Sequence, residues 1–456
     1  MLRRFTDLCV RYVQRFMPDP FLFAVLLSFI VVILDFIFVK DASIKGVVTA
    51  WYDGVWGSKN IFTFAFQMTL ILVTGYTLAK TPPLQRFLAR IAGLPKTQVQ
   101  AAIITFLAAG IASLLNWGLG LVVGAVLARE IAKKLRNIHF GFIVAAGYMG
   151  YIVWTNGFSS SIALANTDPG NNLNIIYQIT HQTIPFAQSI FQPYSWIPVL
   201  ATFIIIPVAL KFMAPKTAVV PSLESLMEDE VSATKEATTG KKTFAEMLES
   251  AWIINLILAI AGFAYLVYSG FALNISSVIM IFTVLGLLLH WTPIRFIKSF
   301  YESAKTSGSL ILQYPLYGGV MALMAYSPSA DIDSLSTVIS TWVVSGATET
   351  TLPFFNYLGS IIISLFVPSG GGHWGVQGPV TIQSAVQMGL TTPEYLGRLS
   401  MSVAFGEQVA NMIQPFWALP VLALAKLGVR DMMGFTVVAF VIGCIIFGIA
   451  TFIPAI

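Results

Sequence analysis

One combination of residues, a tryptophan flanked by glycine and hydrogen-bonding side chains, occurs twice, at matching places in the two halves of the chain. The first copy is Ser113-Leu-Leu-Asn-Trp-Gly-Leu-Gly120, and the second is Ser369-Gly-Gly-Gly-His-Trp-Gly-Val-Gln-Gly-Pro379. About 40 residues after each copy, a second polar segment interrupts an apolar run, at residues 154–161 and 411–417. Broken helices offer free N–H and C=O groups to an anion or a cation inside a membrane. The pattern therefore predicts a solute-binding site where four helix breaks meet.

The breaks hold neutral hydrogen-bonding residues and no Lys or Arg. Hydroxyls, amides and helix ends could bind one carboxylate, whereas a dicarboxylate would call for an arginine. Two structural alternatives remain: the serines after Gly157 could bond back to helix carbonyls, and the glycine run could be a tight turn without a ligand. The predicted substrate-binding residues are Ser113, Asn116, Asn156, Ser159, Ser160, Ser369, Gly371, Gly372, His373, Gln377, Asn411 and Gln414.

Glu407 is the only acidic residue in the apolar stretch 400–425. Because a charged group at the centre of a bilayer costs about 2.5–3.5 kcal/mol, an acid there indicates a function. Glu407 could bind a coupling cation or carry a proton, and the i, i+4, i+7 spacing predicts that it shares a helix face with Asn411 and Gln414. The alternative is that Glu407 caps a helix or lies near the outer membrane interface.

His373 stands at the predicted tip of the second copy, where the first copy has Asn116. An imidazolium could pair with a carboxylate and an imidazole could relay a proton, but a neutral histidine could equally donate one structural hydrogen bond. His373, Asn116, Gly157 and Glu407 form the predicted coupling-ion set. The tryptophans of the two copies are predicted to pack as wedges at the tips.

The composition indicates an all-α integral membrane protein. Of the 456 residues, 56% are hydrophobic and only 10% are charged, against about 25% charged in soluble domains. The two cysteines and four scattered histidines have no disulfide or ligand spacing, so we expect no cofactor and no metal beyond transient Na⁺. The net charge of +5 comes from short basic clusters between apolar runs, which indicates the positive-inside rule and a lipid partner rather than nucleic acid.

These charge flanks predict the topology. Basic residues in 80–96 and 129–136 surround the apolar stretch 98–128, and both clusters should lie in the cytoplasm. The stretch is therefore predicted to be a re-entrant hairpin with Asn116 at its tip, which is tolerable only inside protein or a wet cavity. Residues 350–393 include the second signature, and the loops before them lack basic residues, so the second hairpin should enter from outside.

The predicted organisation is two inverted structural repeats with about ten spans and two hairpins, a cytoplasmic N-terminus and an external C-terminus. The parts are an interfacial amphipathic helix at 1–20; a first repeat at 21–213 with a hairpin at 98–128 and a broken helix at 139–165; a cytoplasmic linker at 214–250; a connecting span at 251–276; and a second repeat at 277–456 with a hairpin at 357–389 and a broken helix at 400–425.

The segment from Pro368 to Pro379 closely resembles the Pro-Ser-Gly-Gly-Gly-Gln-Trp-x-Val-Gln-Gly-Pro segment of bacterial short-chain fatty acid transporters, with His373 in place of the glutamine. Asn116-Trp-Gly118 and the start Met17-Pro-Asp-Pro-Phe21 are also similar to that family. The resemblance implies uptake of monocarboxylates such as acetoacetate or butyrate across the bacterial inner membrane. It also implies kinship with the ion-transporter superfamily, whose members often form dimers and move by an elevator mechanism.

The leading hypothesis is secondary active transport of a short-chain monocarboxylate coupled to Na⁺ or H⁺. The alternative on the same fold is another organic anion, such as a dicarboxylate. A passive channel and a membrane enzyme are weaker hypotheses, the latter because no nucleophile, base or metal-ligand cluster is apparent in the sequence. The chain is therefore predicted not to be an enzyme.

Overall fold

The computed structural model describes residues 2–16, 18–171, 173–222, 243–270 and 275–455. Within these ranges the secondary structure is helical, apart from one isolated bridge between His139 and Val219. This confirms the predicted all-α class. Residues 223–242 of the predicted linker and 271–274 of the predicted connecting span lie outside the described residues.

The helices of the first half include both arms around the first signature. They are α1 Leu2–Phe16, α2 Pro20–Phe38, α3 Ile44–Val55, α4 Phe62–Ala79, α5 Pro82–Ile91, α6 Gln98–Leu115, α7 Trp117–Lys134, α8 Phe140–Met149, a 3₁₀ segment Gly150–Asn156, α9 Ser161–Thr167, α10 Ile175–Thr180, a 3₁₀ turn Phe186–Gln188 and α11 Pro193–Met213.

The helices of the second half follow the stretch 223–242. They are α12 Phe244–Glu249, α13 Trp252–Tyr268, α14 Ile275–His290, α15 Pro293–Ala304, a 3₁₀ turn Lys305–Ser307, α16 Gly308–Met324, α17 Leu335–Val344, α18 Leu352–Ser364, α19 Gly370–Gln387, α20 Pro393–Ala410, α21 Ala418–Ala425 and α22 Val429–Ala450.

Four helices of the described chain are long and apolar enough to cross a membrane, by length and composition. Shorter apolar helices, such as Trp252–Tyr268 and Leu310–Met324, add to them. Separately, some stretches predicted as one crossing are divided. The stretch 139–165, for example, contains α8, a 3₁₀ segment and the start of α9. The four candidate spans are Phe21–Phe38, Gln98–Leu115, Pro193–Met213 and Val429–Ala450.

The helices pack into two groups. The central bundle comprises α6–α9, α11 and α18–α22, and the peripheral bundle comprises α2–α4 and α13–α16. The bundles meet where α4 lies along α7, and where α16 approaches α21. The segment predicted as an interfacial helix contains α1, which packs along α22 with Val10 against Gly434.

Helix starts in the central bundle are set by side-chain caps. Thr97, Asn116, Ser369 and Thr392 accept hydrogen bonds from backbone N–H groups in the first turns of α6, α7, α19 and α20. Such caps satisfy N–H groups that the helix itself cannot pair. The caps therefore fix where each apolar helix begins and where the breaks fall.

The second signature departs from its predicted form. Its glycine run could be a tight turn by sequence, but α19 begins at Gly370. The glycine run is thus the first turn of a helix, and the left-handed glycines of the described chain lie elsewhere, at Gly270, Gly346 and Gly389. The tight-turn interpretation of this run is wrong.

Candidate functional site

Four helix breaks lie in the central bundle. The first is the single extended residue Asn116, between α6 and α7. The second covers residues 157–160, the third residues 365–369 and the fourth residues 411–417. The site is built from the contacts among these breaks.

The first break is bonded to the second. Trp117 N donates to Ser159 Oγ at 2.8 Å, and Phe158 N donates to the carbonyl of Leu114 at 2.9 Å. Gly157 has no room for a side chain, because a Cβ there would overlap that carbonyl. Asn116 Oδ1 accepts from the N–H groups of Gly118 and Leu119, at 2.9 and 3.2 Å. The start of α7 is therefore satisfied by protein groups.

Two predicted serines near these breaks keep unpaired hydroxyls. Ser113 and Ser160 are fully buried, and neither Oγ has a hydrogen-bond partner in the described part of the chain. Gly120 makes room for Ser113, since a Cβ on that glycine would overlap the hydroxyl. Buried hydroxyls without partners are costly, which makes them candidates for ligand contact.

The second and fourth breaks are joined by a buried hydrogen-bond network. Gln408 Oε1 accepts from Thr155 N at 3.2 Å and from Thr155 Oγ1 at 2.6 Å, while Gln408 Nε2 donates to Asn156 Oδ1 at 3.0 Å. Asn156 Nδ2 donates to the Ser195 carbonyl at 3.0 Å. Asn156 was predicted to bind substrate, but both atoms of its amide are engaged by the protein.

Asn411 belongs to the same network. Trp154 Nε1 donates to Asn411 Oδ1 at 3.0 Å, and Tyr148 OH donates to the Asn411 carbonyl at 2.7 Å. The sequence analysis missed Gln408, Thr155, Trp154 and Tyr148 as site residues. The signal available for Gln408 was a second polar residue directly after Glu407, in an otherwise apolar helix.

The third break reaches the second through the start of α19. A Cβ on Gly370 would lie 3.0 Å from the side chains of Ser161 and Trp154, one on Gly371 would lie 2.8 Å from Leu173, and one on Gly372 would lie 2.7 Å from Met321. These glycines serve close packing, as small residues do between membrane helices.

The structural counterpart of Asn116 is Ser369, not His373 as the sequence alignment suggested. Each residue caps the helix that follows it, and each carbonyl accepts from the N–H four residues later: Gly120 N to Asn116 O at 3.1 Å, and His373 N to Ser369 O at 2.6 Å. His373 therefore lies one turn inside α19.

His373 and Gln377 form a cluster with α18. Gln377 Nε2 donates to the Asn356 carbonyl at 2.9 Å, which leaves Gln377 Oε1 to accept from His373 Nε2 at 2.6 Å. Thr381 Oγ1 donates to Asn356 Oδ1 at 2.6 Å. The described side-chain hydrogen bonds of these two predicted site residues thus join α18 to α19. Nδ1 of the buried His373 has no partner among the described residues.

Glu407 lies inside α20, fully buried, and neither carboxyl oxygen has a hydrogen-bond partner in the described chain. The helix-capping alternative for Glu407 is therefore wrong, since its carboxyl group bonds to no described backbone N–H group. The prediction of one helix face shared with Gln414 is wrong, because α20 ends at Ala410 and Gln414 lies in the turn beyond it. Asn411 remains one helical turn from Glu407.

The fourth break holds further unpaired polar atoms. Gln414 and Asn411 are fully buried; both amide atoms of Gln414 and Nδ2 of Asn411 lack partners among the described residues. Tyr151 OH, in the 3₁₀ segment that precedes the second break, is also buried without a partner among the described residues. Each unpaired buried group costs about 1–3 kcal/mol, so this concentration calls for an occupant.

Aromatic rings adjoin these polar groups. Trp417 contacts Trp117 at 5.0 Å, Tyr151 at 5.9 Å and Trp154 at 6.3 Å between ring centroids. Phe416 contacts Trp417 at 5.2 Å. We call Trp117, Tyr151, Trp154, Phe416 and Trp417 the aromatic wall. The packing predicted for Trp117 is thus observed, while Trp374 is buried at the start of α19.

The sequence profile of one protein family, described as short chain fatty acid transporter, matches residues 1–453. This match decides the family. The chain belongs to the short-chain fatty acid transporter family. The resemblance noted for the second signature is therefore confirmed.

Relatives in this family cover nearly the whole chain. A protein of Escherichia coli K12, provisionally named a short-chain fatty acid transporter, is 34% identical over 452 residues, which are 98% of each chain. One of Haemophilus influenzae Rd with the same name is 33% identical over 454 residues, again 98% of each chain. Among solved structures, the YdaH transporter of Alcanivorax borkumensis, reported to have an unusual topology, is 15% identical over 95% of this chain and 98% of that one, with a TM-score of 0.40.

Proposed function

We propose that the protein is a secondary active transporter that moves short-chain monocarboxylates, such as butyrate or acetoacetate, across the bacterial inner membrane together with Na⁺ or H⁺. The observation that carries the proposal is a set of buried groups without described partners: Asn411 and Gln414 in the fourth break, and Glu407 one turn before it. Phe416 and Trp417 of the aromatic wall belong to the same break. Such a site offers amide donors to a carboxylate and an apolar surface to a short alkyl chain.

The charge of the site favours one carboxylate over two. The four breaks contain no Lys or Arg, so the donors available to an anion are the amide Nδ2 of Asn411, Nε2 of Gln414 and the hydroxyls of Ser113 and Ser160. A second carboxylate would need its own cation. The proposal therefore excludes dicarboxylates as preferred substrates.

Glu407 carries the coupling ion in this proposal. A carboxylate buried without a partner loses several kcal/mol of solvation, which a proton or a bound cation would offset. Asn411 lies one helical turn from Glu407 and bonds to Trp154 and Tyr148. In this proposal, a change of charge at Glu407 alters the position of the Asn411 amide and of those bonds. Filling of the ion site and the substrate site is thus linked through one side chain.

The proposed movement uses two inverted repeats. The order α6, α7, α8–α9, α11 matches α18, α19, α20–α21, α22, and the cap geometry of Asn116 matches that of Ser369. In this proposal the residues 98–128 and 357–389 form two re-entrant hairpins. Because the charged residues beside them differ, the first hairpin enters the membrane from the cytoplasm and the second from outside. The N-terminus is then cytoplasmic and the C-terminus external, and the central bundle moves against the peripheral bundle in a homodimer.

Uptake of labelled butyrate into proteoliposomes tests the function, with Na⁺ and H⁺ gradients imposed separately. We expect saturable, gradient-driven uptake. If one excess cation is carried, a 100 mV potential contributes about 2.3 kcal/mol, or roughly 50-fold accumulation. Absence of uptake for every short monocarboxylate would refute the proposal, and unsaturable flux without coupling would show a channel.

Glu407→Gln is expected to abolish accumulation driven by the coupling ion while leaving exchange of internal for external butyrate. The matched control is Glu394→Gln in the first turn of the same helix, where Glu394 accepts from Gln188 Nε2 at 3.0 Å. The control should accumulate butyrate like the unmodified protein. Normal ion-driven accumulation by Glu407→Gln would remove Glu407 from the coupling mechanism.

A further inference from the structure

We propose that Phe416 sets the upper limit on the length of the transported acyl chain, with Tyr314 and Tyr317 as its support in the conformation of this structure. The inference rests on the proposed function, because it concerns the same substrate site. One side of that site would exclude the end of a longer acyl chain. Three features of the structure carry it.

The first is the position of Phe416 next to the unpaired amide. Gln414 and Phe416 are two residues apart, a backbone distance of at most about 7 Å. A carboxylate held by Gln414 therefore places its alkyl chain within a few carbons of the Phe416 ring. That ring is fully buried and carries no polar atom, so it offers the chain a surface but no hydrogen bond.

The second feature is how the ring is held. Phe416 packs between Tyr314 and Tyr317 of α16, with ring centroids at 4.6 and 4.9 Å. Both tyrosines are fully buried. The backbone is fixed as well, because the carbonyl of Pro415 accepts from the N–H groups of Ala418 and Leu419, at 3.0 and 3.1 Å, and so starts α21.

The third feature is that the support cannot retreat. Just beyond Tyr317, α16 is pressed against α3: a Cβ on Gly318 would overlap the Gly54 carbonyl, and one on Gly319 would lie 2.6 Å from Val55. Close-packed interiors do not yield to an added methylene without cost. A longer chain would therefore meet a wall backed by two helices.

The test measures inhibition of butyrate uptake by hexanoate and by butyrate itself, and takes the ratio within each variant, so that differences in folded amount cancel. Removing the ring in Phe416→Ala should make hexanoate a stronger inhibitor of butyrate uptake, relative to butyrate itself. A fit that differs by one methylene changes selectivity by about 10- to 200-fold. We expect a shift of at least about tenfold for the two added methylenes.

The matched control is Phe405→Ala. Phe405 is equally buried, but its ring packs on Phe447 at 5.4 Å, against α22. The Phe405→Ala variant should lose about as much stability as Phe416→Ala, and its ratio of inhibition by hexanoate to inhibition by butyrate should equal that of the unmodified protein. If Phe416→Ala does not fold, Phe416→Leu and Tyr317→Ala open the same space from two sides, and both should shift the ratio in the same direction.

An unchanged ratio in the folded Phe416 and Tyr317 variants overturns the inference while butyrate transport, and with it the proposed function, stands. A shift of equal size in Phe405→Ala also overturns it, because the effect would then be loosened packing in general. Absence of butyrate uptake by the unmodified protein refutes the proposed function instead, and the inference with it.

Discussion

Gln408 and Gln414 carry the same amide group six residues apart, and the protein uses them in opposite ways. Both amide atoms of Gln408 are hydrogen-bonded, Oε1 to Thr155 and Nε2 to Asn156, whereas both amide atoms of Gln414 lack partners among the described residues. Both side chains are fully buried. Since buried amides are normally paired, Gln408 has a structural role, and we propose that Gln414 pairs with the substrate.

Replacing each glutamine by methionine, which keeps its length and flexibility, should separate these roles. Gln414→Met removes one donor to the carboxylate, a hydrogen bond to a charged group worth about 1.5–3 kcal/mol, so apparent butyrate affinity should fall by about tenfold or more. The melting temperature in detergent should hold or rise. Gln408→Met should lower the melting temperature by a few degrees, since it leaves the Thr155 hydroxyl and Asn156 Oδ1 without their Gln408 partner.

Melting curves and uptake kinetics of the two variants provide the check. A loss of stability in Gln414→Met as large as that in Gln408→Met would mean that the Gln414 amide is structural. Unchanged butyrate affinity in a stable Gln414→Met would remove this residue from the substrate site.

The burial of Gln414 and Glu407 was predictable from the sequence, whereas the hydrogen-bond partners of the neighbouring polar residues were not. Gln408 pairs with Thr155 across 253 positions of the chain, and no local pattern encodes such a contact. Asn156 was assigned to substrate for the same reason, because the partners of its amide lie on helices distant in sequence. Burial, read from apolar context, was predictable; hydrogen-bond satisfaction was not.

At the level of elements, the starts of α7 and α19 perform the same task with different caps. The N–H groups at the start of α7 are bound by Asn116 and by Ser159 of the second break. The start of α19 is capped by Ser369 and fitted into place by glycines. Cap residues of this kind stabilise a helix by about 0.5–2 kcal/mol, so each start also positions its break.

Asn116 offers a test that separates capping from charge. Asp caps a helix as well as Asn, so Asn116→Asp should keep the start of α7, while the cost of burying its charge lowers the melting temperature. It adds a negative charge beside the proposed carboxylate site, and butyrate affinity should fall by about tenfold. Asn116→Ala should instead lose about 1 kcal/mol of stability.

Thermal unfolding and butyrate kinetics distinguish these outcomes. Full affinity in Asn116→Asp would show that the first break lies away from the substrate, and Asn116 would then be a cap only. Ser369→Asp is the parallel variant in the second half, and if the two starts are equivalent it should repeat the pattern.

The order of elements was predictable from apolar runs and charge flanks, whereas the start of α19 was not. Glycine has low helix propensity, so a Gly-Gly-Gly run favours a break in any sequence-based interpretation. The structure continues the helix through it because Trp154, Leu173 and Met321 leave no space for side chains. Aligning the two signatures on their tryptophans then misplaced His373 by one turn.

At the level of the whole molecule, the breaks all belong to the central bundle, while α16 of the peripheral bundle supports Phe416. The bundles also touch along α4 and α7, where Arg129 Nη1 donates to Tyr76 OH at 2.9 Å. If the central bundle moves as proposed, this contact must break in each cycle, and contacts within the central bundle must not.

A pair of disulfides can test the movement. A Cβ on Gly75 of α4 would lie 3.0 Å from Cγ2 of Val122 of α7, across the two bundles. Since Cγ2 is bonded to the Val122 Cβ, the two Cβ atoms would lie within about 4.5 Å of each other, close enough for a disulfide. With Cys9 and Cys444 replaced by serine, oxidation of the double variant Gly75→Cys, Val122→Cys should stop butyrate uptake, and reduction should restore it. Mass spectrometry of peptides confirms the bond.

The control joins two helices that should travel together. A Cβ on Gly443 of α22 would lie 3.1 Å from Val409 of α20, so Gly443→Cys, Val409→Cys gives nearly the same geometry inside the central bundle. Its oxidation should leave uptake unchanged, since no relative motion is needed there. Continued uptake by the oxidised Gly75–Val122 pair would show that α4 and α7 do not separate, and the substrate would then have to cross by local gating around a stationary central bundle.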